Sequence, residues 1–282
     1  MTVKIENEHL SAQIKSLGAE LSSIKDRKTS REYLWQGDSN IWSGQSPVLF
    51  PVIGKLLEDS YMLDNKKYSL AKHGFARKSE FTLTDKGEDF AVFTLRENED
   101  TLKCYPFRFE LNIKFQLTGK SIKVTHTVKN TDDKTMYFSL GAHPAFNIEL
   151  GDKIIFDKKE NLCTMRIDEN AIIASWDEKI LDNSEELTVT EDIFKNDAVI
   201  LEGFSSKSLT LRKKNGEKIL RFDLGGAPYL GIWAKPGAPY VCIEPWWGVN
   251  DDYDRKDDIS KKKGIQKLES KKEFTSCWSA EF

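Results

Sequence analysis

Paired β-rich runs, joined by a few polar residues, constrain this chain more than any other feature. Tyr61-Met62-Leu63 and Lys67-Tyr68-Ser69-Leu70 flank Asp64-Asn65-Lys66. Segments 81–84 and 90–93 flank Asp85-Lys86-Gly87-Glu88, and segments 109–117 and 122–128 flank Thr118-Gly119-Lys120. Segments 209–211 and 219–222 flank a loop carrying Asn215-Gly216, a pair whose ease at positive φ makes it a strong hairpin signal. Within the runs, apolar and polar residues alternate with period two, as a strand with one buried face requires. Helical periodicity is not sustained over three turns anywhere, and only the stretch from Thr188 to Lys195 suggests a turn or two. Strands in succession without intervening helices predict an all-β, large antiparallel β-sandwich.

At 282 residues the chain is long for one unit, yet β-sandwiches reach such sizes, and no Pro/Gly/Ser linker or repeat divides it. A single domain over residues 1–282 is expected. The formal net charge of -3 gives no support for a nucleic-acid partner. Lys261, Lys262 and Lys263 cluster, as do Lys271 and Lys272, but Asp257, Asp258, Glu269 and Glu273 interleave with them, which predicts a solvated mixed-charge surface. Cys104, Cys163, Cys242 and Cys277 are widely spaced with no CxxC pair, and no signal peptide opens the sequence, so free thiols in a reducing, cytoplasmic setting are expected. No apolar run approaches the ~20 residues a spanning helix needs, so no membrane association is expected.

Three segments depart from ordinary strand and turn. In Lys72-His73-Gly74-Phe75-Ala76-Arg77, the glycine after His73 permits a close backbone approach to a ligand, and Arg77 adds a fixed cation. In Phe138-Ser139-Leu140-Gly141-Ala142-His143-Pro144-Ala145-Phe146, a β-run is followed by His143, and Pro144 stops the ladder, presenting the imidazole at a rigid strand end. In Tyr240-Val241-Cys242-Ile243-Glu244-Pro245-Trp246-Trp247-Gly248, Glu244 closes an apolar run. Desolvation there raises a carboxyl's pKa toward the range of a neutral-pH base, and alternation sets Tyr240, Cys242 and Glu244 on one strand face. A core carboxylate paired with arginine is the structural alternative for Glu244, and a strand-capping loop residue is the alternative for His143. His126 alternates with Ile122, Val124 and Val128, which predicts a hydrogen-bonded core histidine, and His9 lies in a polar stretch. His73, His143 and Glu244 show no HxH, HExxH or cysteine-rich metal spacing, and no glycine-rich phosphate loop is present, so no cofactor or metal is expected.

The Gly-Ala-His-Pro-Ala-Phe segment at 141–146 and the Ile-Glu-Pro-Trp segment at 243–246 resemble signature pieces of the aldose 1-epimerase (galactose mutarotase-like) superfamily. The Lys-His-Gly-Phe-Ala-Arg segment at 72–77 resembles a bacterial epimerase-like branch, and the order and spacing of the pieces match over nearly the whole chain. The resemblance implies a β-sandwich whose concave face holds an open sugar cleft. It implies that His143 is the general acid toward the ring oxygen and Glu244 the base toward the anomeric hydroxyl. It also implies that His73 binds the sugar, and it aligns Lys55 with a position where family members carry arginine. The aspartate with which galactose mutarotases reach a distal hydroxyl has no counterpart in 228–233.

Three functions follow as expectations. The first is an aldose 1-epimerase, an isomerase that interconverts the α and β anomers of a hexose. The second is a hexose-6-phosphate 1-epimerase in which Lys55 and Arg77 meet the phosphate. The third is a carbohydrate-binding protein that keeps the cleft without turnover. Trp233, at the end of a predicted strand, is expected to pack against the sugar or the catalytic loop, with core packing as its alternative.

Overall fold

The computed structural model describes residues 1–256 and 258–282; Asp257, one of the acids in the mixed-charge stretch, lies outside the described residues. Strand dominates, and among the described residues fifteen strands hydrogen-bond into one large sheet whose pairings are all antiparallel. A three-stranded sheet of Thr2–Glu6, Leu10–Lys15 and Glu20–Asp26 stands beside it. The four expected hairpins all form. Asp64 and Asn65 take φ of 51° and 61°, the left-handed pair that a two-residue turn between right-twisted strands needs. The 188–195 stretch contributes a 3₁₀ turn at Asp192–Phe194. The short α-helix Glu99–Cys104 was not signalled by periodicity; the Asn98 side chain caps it by accepting from the amides of Asp100 and Thr101. No helix among the described residues is long and apolar enough to cross a membrane.

The large sheet becomes a sandwich through one long strand, Lys153–Ile167. Its first part pairs with Ser208–Arg212 and its last part with Val199–Glu202, so one chain segment serves both layers. Between these parts Asp157, Lys158 and Lys159 are exposed and the ladder to Ile173–Thr188 shifts register. Two carboxylates hold the bend. Glu160 accepts from the amides and hydroxyls of Ser205 and Ser206, and Asp157 accepts from the amides of Lys207 and Ser208. The space between layers is filled by aromatic side chains, among them Phe222 stacked on Trp278 at 5.2 Å and Phe146 edge-on to Phe222 at 5.8 Å.

One region of the sheet positions the functional side chains. The strand Tyr240–Trp247 is buried along its full length, flanked on one side by Tyr229–Trp233 and on the other by two short strands, Leu140–Ala142 and Ala145–Asn147. Register runs unbroken across the two short strands: Gly141 faces Trp246 and Ala145 faces Cys242. The interrupted residues His143 and Pro144 therefore lie across from Glu244 and Ile243. The Ile243 amide donates to the Pro144 carbonyl at 3.2 Å. Amides two residues apart point to the same side of a strand, so the side of Pro245 that lacks an amide faces Ala142, where the pairing of the central strand with Leu140–Ala142 has already stopped at Gly141. Glu244 thus does not end its run; the proline behind it is accommodated in mid-strand by the interruption opposite.

Glycines on both flanks make room for the indole of Trp246. A Cβ on Gly231 would meet the Trp246 ring at 2.6 Å, and one on Gly141 would meet it at 2.7 Å. Gly231→Ala is expected to lower unfolding stability by about 1–3 kcal/mol, the range for overpacking a rigid site. A denaturant midpoint equal to the parent's would show that the indole has room to move.

Candidate functional site

A cleft of about 230 Å³ opens over this part of the sheet, and residues from separate parts of the chain line it: Trp42, Lys72, His73, Arg77, His143, Asp197, Trp233, Glu244, Trp246 and Asn250, with Pro47, Ile167, Ala198 and Ile200. His143 and Glu244 form its floor. The imidazole Nε2 stands 3.2 Å from Glu244 Oε2, and the two side chains are 12% and 2% exposed. Among the described residues, neither that oxygen nor His143 Nδ1 has a hydrogen bond of good geometry. The ring is held by its neighbours: Trp42 stacks on it at 5.2 Å and Trp233 meets it edge-on at 5.8 Å. A Cβ on Gly44 would meet the Trp42 ring at 2.4 Å, so that glycine is a condition of the stack.

His73 is oriented by backbone. At φ 66° its amide donates to the Gly54 carbonyl at 2.8 Å, and its Nδ1 accepts from the Gly54 amide at 3.1 Å. That acceptor role fixes the tautomer and leaves the proton on Nε2. The glycine after it, Gly74, serves a different contact from the one expected. A Cβ there would meet the Phe50 carbonyl oxygen at 2.2 Å, so the close approach is to backbone beneath the cleft and not to a ligand. Arg77 lines the cleft and donates from Nη2 to the Lys72 carbonyl at 3.0 Å, while its buried Nε has no partner. Among the described residues neither Arg77 nor Lys72 has a carboxylate within ion-pair distance.

The expected site residues are therefore brought together with one exception. His73, Arg77, His143, Trp233 and Glu244 share the cleft, whereas Lys55 pairs with Asp59 at 3.7 Å and is not among the lining residues. Lys55, expected at the position of a family arginine, thus stands outside the lining, and Lys72, immediately before His73, lines the cleft with Arg77. Trp42, Asp197 and Asn250 also escaped the sequence reading. Asp197 follows Lys195-Asn196 in a polar turn indistinguishable from other turns, and Trp42 lies in a segment without periodicity. Lys262 likewise departs from the solvated surface expected of its cluster. It is buried, pairs with Asp251 at 2.8 Å and donates to the Val249 carbonyl, while Arg255 reaches the same carboxylate at 3.1 Å. These ion pairs anchor the loop that carries Asn250 to the cleft. His126 is a core residue, as expected, but its Nδ1 lacks the anticipated hydrogen bond.

Burial governs the protonation of the pair. Desolvation pushes the Glu244 carboxyl well above the usual carboxylate range; the Trp246 indole N–H and Lys72 oppose the shift, and Asp197 adds to it. Desolvation also pushes His143 down to about 3, with Arg77 and Lys72 acting in the same direction. His73 is driven down in the same way, by burial first and His143 next. Over the intermediate pH range the pair therefore holds one proton between two atoms in contact.

Residues 1–250 match the family model of aldose 1-epimerase. The chain belongs to the aldose 1-epimerase family. This epimerase is 35% identical to the chromosomal protein LacX of Lactococcus lactis subsp. lactis over 284 residues, covering 95% of each chain. In structure it is similar to a galactose mutarotase related enzyme from Lactobacillus acidophilus, with a TM-score of 0.94 and 32% identity over 100% of this chain and 97% of that one. A galactose mutarotase-like protein from Lactobacillus casei ATCC 334 gives a TM-score of 0.93 and 30% identity over 100% of this chain and 99% of the other. The all-β mutarotase-like sandwich is thus established, and with it membership of a family of isomerases that act on sugars.

The protonation of the pair is testable in the epimerase without substrate. A free imidazole gains its proton as pH falls through about 6.5. His143 should stay neutral through that window and charge only on approach to about 3. In histidine-labelled protein, the His143 ¹⁵N shifts are expected to remain those of a neutral ring from about pH 8 to about pH 5. A full titration of that ring near its ordinary value would remove burial as the controlling influence.

Proposed function

We propose that this epimerase interconverts the α and β anomers of a hexose, with His143 as acid and Glu244 as base. The observation that carries the reading is the cross-strand contact at 3.2 Å between a buried imidazole and a buried carboxylate at the floor of a sugar-sized cleft. Anomer exchange requires ring opening, rotation about C1–C2 and reclosure. In opening, the Glu244 carboxylate takes the O1 proton while the His143 imidazolium gives one to O5; the C1–O5 bond breaks as the C1–O1 double bond forms. Reclosure on the other face of the carbonyl returns both protons. Nothing is consumed and the charge balances at each stage.

Burial tunes both partners toward this exchange. A raised carboxyl pKa makes Glu244 a stronger base, and a depressed imidazolium pKa makes His143 a stronger acid. After ring opening the pair is a neutral acid beside a neutral imidazole, the form that a poorly solvated floor favours. Before it, the ion-pair form is supported by sugar hydroxyls; Lys72 favours the carboxylate and disfavours the imidazolium. His73, with Nε2–H free to donate, and Asp197, whose Oδ1 already accepts from the Ala198 amide at 2.7 Å, are placed to bind sugar hydroxyls. Trp233 and Trp42 offer apolar faces and edges beside the imidazole, suited to the C–H surface of a pyranose.

A second reading keeps the chemistry and changes the substrate. Lys72 and Arg77 line the cleft without carboxylate partners among the described residues, which suits a hexose carrying a phosphate. A sugar panel of free and 6-phosphorylated hexoses separates the two: the free-hexose reading expects turnover that does not depend on the phosphate.

Glu244→Gln and His143→Asn test the pair itself. Each is expected to lower kcat by ~10²-fold or more with a much smaller change in sugar affinity, because each removes one end of a proton transfer. The double variant should be only slightly worse than either single, as for groups acting as a unit. If both single variants kept at least about a third of parental turnover while folded, the carbohydrate-binding alternative would replace the enzymatic one.

A further inference from the structure

Beside the pair, on the central strand, is a group that anomer exchange does not use. Cys242 is two residues before Glu244 on the same face of the central strand, fully buried, and facing Trp233 on one neighbouring strand and Ala145 on the other. It does not line the cleft. Yet one ligand atom each of His143, Cys242 and Glu244 lies within 4.8 Å of the others. We propose that these three side chains form an inhibitory site for a thiophilic divalent cation of the zinc type, which on binding blocks anomer exchange.

The donor set and its spacing carry this. Zinc takes imidazole nitrogen at ~2.0–2.1 Å and thiolate sulfur at ~2.3 Å, which places tetrahedral donors about 3.3–3.8 Å apart. The imidazole–carboxylate edge is already at 3.2 Å, so only the thiol must close in. Three protein donors with a fourth position open toward a cleft is the arrangement of accessible zinc sites, not of sealed structural ones. One buried polar atom at this spot, Glu244 Oε2, also lacks a hydrogen bond of good geometry among the described residues. The carboxylate oxygen gains its missing partner when a cation binds. A thiol among the donors selects zinc-like ions over magnesium or calcium, which prefer oxygen alone.

Binding has a defined proton balance. The thiol loses its proton, the His143–Glu244 pair loses the one it shares, and the cation is held by thiolate, neutral imidazole and carboxylate with two protons released. Occupancy therefore rises with pH. It also removes both the acid and the base from the reaction, so the inhibitory half of the proposal rests on the catalytic reading given above.

Cobalt(II) and zinc(II) as simple salts are the probes. Cobalt added to the full-length protein is expected to produce a thiolate-to-cobalt charge-transfer band, bleached by zinc, with one ion bound per chain. Zinc should inhibit mutarotation reversibly, a chelator should restore it, and magnesium should do neither. Cys242→Ser should keep mutarotation close to the parental rate, lose the band, and need at least ~10-fold more zinc for half inhibition, since loss of even an outer partner costs that much affinity. Cys242→Ala serves the same purpose if the serine disturbs the core. Absence of the band in the folded parent overturns the site, as does equal zinc sensitivity in parent and both cysteine variants. Zinc that bleaches the cobalt band yet leaves turnover unchanged overturns the inhibitory claim, and in that outcome the catalytic reading of the pair fails with it.

Discussion

The site depends on one interrupted ladder. Antiparallel register carries straight through from Leu140–Ala142 to Ala145–Asn147, but the two residues between them reach the central strand, among the described residues, through the Ile243-to-Pro144 backbone bond alone. This sets an imidazole opposite a carboxylate at contact distance, on a floor that water reaches poorly. Pro144 has no amide to give the central strand, and Pro245, across from Ala142, has none to give back.

Around that contact the protein invests in rigidity more than in charge. Trp42, Trp233 and Trp246 surround the pair, and each of two indoles is seated over glycine: Trp42 over Gly44, Trp246 between Gly141 and Gly231. Rotamers locked by packing hold reacting groups more tightly than long polar side chains could. The loops that complete the cleft are tied from outside it. His73 and Gly54 exchange two hydrogen bonds, and the buried Asp251–Lys262–Arg255 cluster fixes the segment bearing Asn250. A Cβ on Gly54 would collide with the Asn250 side chain at 2.0 Å, so these two anchored loops are themselves packed together.

Much of this was legible in the sequence because its cause is local. Period-two alternation and Asn/Asp/Gly turns specify hairpins within a few residues, and all four appear where expected. Alternation also put Cys242 and Glu244 on one face, and the His-Pro pair marked a strand end. What was hidden depends on contacts between distant segments. Asp197, Trp42 and Asn250 reach the cleft only through the sandwich closure, and nothing in their immediate neighbours distinguishes them from turn or core residues. Lys55 was assigned by alignment of position, but Lys72, beside His73, is the lysine that lines the cleft. Lys262 looked solvated because its neighbours are charged; its burial follows from Asp251, whose location the sequence does not disclose.

The central claim is that desolvation makes His143 and Glu244 a matched acid and base for anomer exchange. The most direct measurement is two-dimensional exchange NMR on an equilibrated hexose with the protein present. Magnetisation exchange between the α and β anomeric protons, faster than the spontaneous rate and falling away in strongly acidic and strongly alkaline solution as the shared proton is doubled or lost, is what the account requires. Broadened sugar resonances without exchange between the anomers would contradict it, showing a cleft that binds sugar and does not open the ring.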